Sequence, residues 1–203
     1  MAHLVGAQLL VLLTDAPGLL TADPRRDTAA SLIEEVVEID QQLERLAGGP
    51  SSAVGSGGMA SKLAAAKIAT WSGVEAVIAD AARPGVLAAA LAGEGGVGTV
   101  FRARERKLSA RKLWIAFALG AAGVLTVDEG AHAALSEKGR SLLAAGVIAV
   151  SGGFRPEDAV EIAGPDGTVF AKGLVRVPAL RAEEWMGRRS QVVVHRDDLV
   201  LVT

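Results

Sequence analysis

Eight consecutive residues, GSGGMASK from Gly55 to Lys62, combine three glycines, two serines and one lysine. Glycines let successive backbone N–H groups turn toward one oxyanion, a helix starting at Gly58 or Met59 would add its positive end, and Lys62 would supply an ammonium about one turn inside. The chemistry this composition could do is phosphate binding. As a Walker A loop the stretch fails, because that motif needs glycine at 61 and a hydroxyl residue at 63, where the chain has Ser61 and Leu63. As a dinucleotide fingerprint, Gly55, Gly57 and Ala60 satisfy G-x-G-x-x-A and Asp80 follows twenty positions later. That fingerprint must leave a strand directly, however, and the preceding AGGPSSAV is turn-rich. Taken alone, the stretch is equally a general anion site or a glycine-rich helix start with Lys62 in solvent.

The neighbouring patterns decide what could stand beside it. AQLLVLLTD is a continuous aliphatic run of the kind buried on both faces of a sheet, and it ends at Thr14 and Asp15. MASKLAAAKIATWSG repeats apolar residues at helical spacing and stops at Gly73. VEAVIAD predicts a second buried strand ending at Asp80, and PGVLAAALAG a second helix with Pro84 near its start and Gly93 past its end. Strand, excursion, helix, strand and helix in this order argue for a mainly parallel α/β sheet, in which ligands bind at the carboxyl ends of the strands. Thr14, Asp15 and Asp80 occupy that rim.

The rest of the chain has another grain. GEGGVGTVFRARERKLSARK, Gly93 to Lys112, reads as a glycine-rich and then charged connection, with the boundary near residue 106. Beyond it, Asp128 is placed to cap a short helix with Glu129 in its first turn. Short β-rich pieces follow (GVIAVSG, DAVEIAG, TVFAKGLVRV and SQVVVHRDDLVLVT), interrupted by LRAEEWMG as a helix candidate. These predict a small β-barrel or sandwich.

Composition removes several classes of function. The 203 residues are 50% hydrophobic with no cysteine, which excludes disulfides, thiolate metal sites and thiol nucleophiles and suits a reducing compartment, the cytoplasm. The longest uncharged apolar run, Leu113 to Val127, is too short and too glycine-broken for a membrane span. Nine Lys/Arg against twelve Asp/Glu up to residue 106, and twelve against eleven after it, make neither half strongly basic. The cluster Arg102, Arg104, Arg106, Lys107, Arg111 and Lys112 is read as a solvated linker, His3 and His132 as surface residues, and HRDDL at His195–Leu199 as the start of a strand.

In order and spacing, LLVLLTDAPGLLTADPRRD, VGSGGMASKLAAAKIAT, PGVLAAALAGEGGVGTVFRA, LTVDEGA, KGRSLLAAGVIAVSGGF and VVVHRDDLVLV resemble the glutamate 5-kinase family, over nearly all of the chain. Members phosphorylate the γ-carboxylate of L-glutamate in proline biosynthesis. The resemblance implies that residues 1–106 are the C-terminal, ATP-binding portion of an amino-acid kinase three-layer sandwich, and that residues 107–203 are a PUA-type β-barrel. It further implies that Thr14 and Asp15 contact the nucleotide. Ser56, Gly57, Gly58, Met59, Ala60, Ser61 and Lys62 match a Thr-Gly-Gly-Met-x-Thr-Lys segment around the phosphates, serine twice replacing threonine. Pro17, Leu20 and ADAARPGV depart from the family pattern. Lys62 is then the catalytic cation on the moving γ-phosphoryl, with Mg2+ accompanying ATP. The family's glutamate-binding residues have no match here. The expectation is therefore a chain lacking the N-terminal half of the kinase domain, with little or no activity alone, prone to self-association through an unpaired strand edge. Contact with RNA through the PUA part is the alternative reading.

Overall fold

Runs of aliphatic residues covered on both faces build the first sheet, with Ala76 to Ala79 of its inner strand all buried. The computed structural model describes residues 2–48, 58–105 and 107–202. Strand β1 (Leu9–Thr14) pairs parallel with β3 (Glu75–Asp80), Leu9 opposite Glu75 and Thr14 opposite Asp80. Strand β4 (Gly98–Phe101) runs antiparallel to β3, and the two-residue β2 (Glu35–Val36) lies parallel to β4, giving the order β1-β3-β4-β2. Two pairings of the three are parallel, in a mixed sheet. Part of the stretch read as a connection is thus the inner strand β4.

Side chains leave this sheet to two faces. Leu10, Leu12, Ala76, Ile78 and Phe101 meet Leu63, Ala66 and Ala69 of α2 (Met59–Trp71), together with Leu43 of α1 (Gln41–Leu46). Leu9, Val11, Val77, Ala79 and Val100 meet Val86, Ala89 and Ala90 of α3 (Val86–Leu91). The result is three layers, helix, sheet and helix, as the periodicity of the sequence requires. Helix α2 ends where expected. Gly73 takes φ +77°, and the N–H groups of Gly73 and Val74 close on the carbonyls of Thr70 and Ala69 at 3.0 Å. Helix α1 is capped by Asp40, whose carboxylate accepts the Leu43 N–H at 2.8 Å, and Lys67 of α2 reaches Glu44 of α1 at 2.7 Å.

The basic run is not a solvated linker. Arg102 bridges Glu35 and Glu75, and Arg104 pairs with Glu38 while its guanidinium lies 4.1 Å from the centre of the Trp71 ring. These arginines bind β2, β3 and β4 at the end opposite the ligand-facing rim, so their charges are spent on carboxylates within the same unit. Arg106 lies outside the described residues. The chain forms two compact units, Met1–Ser109 and Ala110–Thr203. The Leu108 N–H donates to the Trp71 carbonyl at 2.9 Å, which holds the end of the run to the first unit.

The second unit opens with α4 (Ala110–Leu113), which continues as a π-helical turn, Trp114–Ala118. Its sheet comprises β5 (Gly123–Val127), β6 (Leu142–Leu143), β7 (Val147–Gly152), β8 (Ala159–Ala163), β9 (Val169–Val175) and β10 (Val192–Leu201), ordered β6-β10-β9-β8-β5-β7. It curls as a half-barrel about a core that includes Leu125, Val127, Phe154, Ile162, Phe170 and Val193. Asp128 caps α5 (Glu129–Ser136) by accepting the Ala131 N–H at 2.7 Å, and LRAEEWMG supplies α6 (Ala179–Trp185). HRDDL lies within β10 rather than at its start, at a register shift between Val194 and Leu199, where Asp198 pairs with Arg111 at 2.7 Å. His132 is half-buried rather than on the surface, its ring set edge-on to Phe170 at 4.2 Å. Lys172 of β9 donates to the carbonyls of Leu119 and Ala116 and so closes the end of the π turn; burial pushes its ammonium below the usual lysine range, against the opposing pull of Glu161.

Candidate functional site at the carboxyl end of the first sheet

Parallel pairing carries β1 and β3 to the same rim, so Thr14 and Asp80 end side by side. The Ala81 N–H donates to the Thr14 carbonyl at 2.7 Å, and Asp80 turns back to accept the Ala82 N–H at 2.8 Å. Thr14 is buried and Asp15 exposed, and the Thr14 hydroxyl donates to the Asp15 carboxylate at 3.0 Å. This hydrogen bond is the first cause holding the Asp15 carboxyl below its ordinary range. A backbone hydrogen bond and then the positive charges of Lys62 and Arg25 act in the same direction.

Lys62 comes from the first turn of α2. Gly58 precedes that helix in extended backbone, and no side chain caps it; Ser61 instead folds back, its hydroxyl donating to the Gly58 carbonyl at 2.8 Å. No acidic residue occupies this first turn. The N-terminal N–H groups, the helix dipole and Lys62 therefore act with one sign, the arrangement suited to an anion. Met59, Ala60 and Lys62 are half-buried and Gly58 and Ser61 exposed, with Met59 packed against the core under the sheet. Ser56 and Gly57 lie outside the described residues.

Arg25, whose charge also acts on Asp15, is not singled out by the sequence. It sits on an excursion between β1 and β2 closed by hydrogen bonds. The Thr21 N–H donates to the Ser31 carbonyl at 2.9 Å, the Ser31 N–H to the Thr21 hydroxyl at 3.0 Å, and Leu20 bridges Leu32. At its tip the Asp23 carboxylate accepts the Arg25 N–H at 3.0 Å, an Asx turn. Arg26 is drawn to Asp23 (4.0 Å), whereas the charge of Arg25 acts on Asp15. A proline after an aspartate announces such a turn in sequence, but not the carboxylate on which its arginine acts.

The chemistry this donor set could support is phosphate binding. The positive charges of Lys62 and Arg25 act on the Asp15 carboxylate, and among the described residues no three His, Asp or Glu gather as they would to hold a metal ion. A divalent cation entering with a polyphosphate would find Asp15 and Asp80 as the carboxylates of this rim. Among the described residues no helix is long and apolar enough to cross a membrane.

Residues 1–80 match the amino acid kinase family, and residues 123–196 match the PUA domain. The chain thus joins a segment that matches the amino acid kinase family to one that matches the PUA domain. Over nearly its whole length it is homologous to glutamate 5-kinases. It is 44% identical over 209 residues to that of Mycobacterium avium (strain 104), spanning 99% of this chain and 56% of the relative. It is 45% identical over 210 residues to that of Mycobacterium tuberculosis (strain ATCC 25618 / H37Rv), spanning 100% of this chain and 54% of the relative. The chain therefore covers a little over half the length of these curated relatives. Among solved structures, a PUA domain from Aeropyrum pernix K1 in complex with tartrate is 29% identical over 42% of this chain and 48% of its own, with a TM-score of 0.35.

Proposed function

We propose that the chain provides the nucleotide-binding part of an ATP-dependent glutamate 5-kinase, which transfers the γ-phosphoryl of ATP to the γ-carboxylate of L-glutamate and forms glutamyl 5-phosphate, the first step of proline biosynthesis. In this reading residues 1–106 belong to the kinase domain and residues 107–203 to the PUA domain. The observation that carries it is that Thr14 and Asp15 stand hydrogen-bonded to each other at the carboxyl end of β1, with the charge of Lys62 from the first turn of α2 acting on the Asp15 carboxylate.

Phosphoryl transfer asks little covalent help of a protein, and positioning plus neutralisation of charge supply most of the catalysis. Gly58 and the start of α2 give the N–H groups that hold phosphate oxygens, with Ser56 and Gly57 assigned to the same role. Lys62 places its ammonium against the moving phosphoryl group. Thr14 and Asp15 face the nucleotide, the Thr14 hydroxyl donating to the Asp15 carboxylate. Mg2+ arriving with ATP would neutralise phosphate charge, and Asp15 and Asp80 are the carboxylates of this rim that would hold it.

The test is calorimetric titration of the 203-residue chain with Mg·ATP, followed by glutamate-dependent ADP release. The chain alone is expected to bind ATP and to turn glutamate over slowly or not at all, because none of its residues is assigned to glutamate. Lys62→Met is expected to weaken binding. Wild-type chain that binds no ATP overturns the reading, as does a Lys62→Met variant with undiminished affinity. A salt-dependent RNA mobility shift without ATP affinity would favour the PUA domain as the functional part. Among the described residues the outer edge of β1 has no strand partner, and sedimentation is expected to show self-association.

A further inference from the structure

Thr99 is fully buried in β4, on the sheet face of its register partner Ile78 and of Phe101, where an apolar side chain would ordinarily stand. A buried hydroxyl is unfavourable unless it is hydrogen-bonded. Here Oγ1 accepts the Leu19 N–H at 2.7 Å, a buried contact across 80 residues of sequence. Gly18 is pressed against the same side chain: a Cβ there would stand 2.6 Å from Thr99 Oγ1 and 2.9 Å from the Thr99 backbone nitrogen. The Leu19 carbonyl is fixed as well, by the Ile33 N–H at 2.9 Å.

Only Ala16, Pro17 and Gly18 separate Leu19 from Asp15. Asp15 therefore hangs between two anchors, the last β1–β3 pair at Thr14 and the Leu19–Thr99 bond. The excursion that carries Arg25 starts from the second anchor. We propose that Thr99 is a positioning residue of the nucleotide site: it touches no ligand, but by pinning Gly18 and Leu19 it sets where Asp15 and Arg25 face the rim. The proposal rests on the ATP reading above.

Thr99→Val keeps the shape and removes the acceptor, Thr99→Ser keeps the acceptor, and Val86→Ala weakens the same unit from the opposite sheet face, away from the turn. Each is made in the full chain and assayed by calorimetry with Mg·ATP and by amide exchange across residues 16–20. If the released turn holds its binding geometry a tenth of the time, apparent ATP affinity falls about tenfold. Thr99→Val is expected to show that loss with faster exchange at Leu19. Thr99→Ser is expected to stay near wild type in both, and Val86→Ala to lose stability without losing affinity. Should valine prevent folding, Thr99→Ala removes the same acceptor without added bulk and is read in the same way. Wild-type chain that binds no ATP sinks the functional reading and this role with it. Wild-type binding with an unimpaired Thr99→Val, with unchanged exchange at Leu19, or with an equal affinity loss in Val86→Ala overturns the positioning role alone.

Discussion

Gly18→Ala is the sharpest probe of how tightly the rim of the first sheet is built. A Cβ at this position would lie 2.6 Å from Thr99 Oγ1, 2.7 Å from Leu32 Cδ1 and 2.9 Å from the Thr99 nitrogen. Carbon contacts settle near 3.5–4.0 Å, so about 1 Å must be found. Leu32 can rotate, but Thr99 is held in β4 between β3 and β2 and cannot retreat. Overpacking of this kind costs about 1–3 kcal/mol. Gly18 also has φ +152°, and forcing a side chain into so sparsely populated a region adds about 1–3 kcal/mol. The sum, about 2–6 kcal/mol, is a large part of a domain stability of about 5–15 kcal/mol. Urea unfolding followed by Trp71 fluorescence, in a background where Trp114 and Trp185 are phenylalanine, reports on the first unit. With a slope of about 1–3 kcal/mol per molar, a loss of about 3 kcal/mol lowers the midpoint by about 1–3 M. Combining Gly18→Ala with Thr99→Ala should recover part of the loss, a coupling above about 0.5 kcal/mol. A single variant within about 0.5 kcal/mol of wild type would show that the turn has room to spare and would refute the packing argument.

Thr14→Val should raise the Asp15 carboxyl pKa more than Arg25→Ala does, because the Thr14 hydrogen bond is the largest cause of its lowering and Arg25 the smallest; carboxyl carbon shifts in an NMR titration read the order, and the reverse order contradicts it. Arg25→Ala should also weaken Mg·ATP binding in calorimetry. Lys172 makes a signed pH prediction. Its folded pKa lies below 10.5, so the unfolded chain binds the proton more readily, and stability from this group rises with pH between the folded value and 10.5. The unfolding free energy of wild type relative to Lys172→Met should therefore drift in favour of wild type as pH is raised from neutral toward 10.5, and a drift the other way would contradict the burial argument. Asp128→Ala removes the acceptor for the Ala131 N–H and should cost the second unit about 1 kcal/mol in urea unfolding, with Asp128→Asn close to wild type.

Elements that announce themselves by periodicity or punctuation were legible in the sequence. The aliphatic run to Thr14, helix α2 from Met59 to its glycine stop, and the Asp128 cap all stand where local chemistry puts them. Strand β4 was not legible, for physical reasons that can be named. Gly98 belongs to β4 because a Cβ there would meet the Ile78 carbonyl at 2.2 Å, yet in sequence it merges with the glycines before it. Thr99 reads as polar and exposed until its partner 80 residues away is known. The basic run likewise looks like a linker while Glu35, Glu38 and Glu75 are distant in sequence. Of the proposed site, Thr14 and Asp15 could be placed at a strand end and Lys62 in the first turn of a helix. Arg25 could not, because the path of its excursion depends on the Thr21–Ser31 and Leu19–Thr99 bonds. The π turn at Trp114–Ala118 has no sequence signal either, since its end is closed by a lysine on β9.

Because β4 runs against β3, its first residue stands beside the last residues of β3, Gly98 opposite Ala79. The segment 93–97 therefore arrives at the rim formed by the carboxyl ends of β1 and β3, and the Gly96 carbonyl is already taken there by the Arg83 guanidinium. A residue inserted in this connection would alter the rim that carries Thr14, Asp15 and Asp80 instead of the far end of the sheet. Length here, more than the identity of any one side chain, is what a library of insertions should find least forgiving.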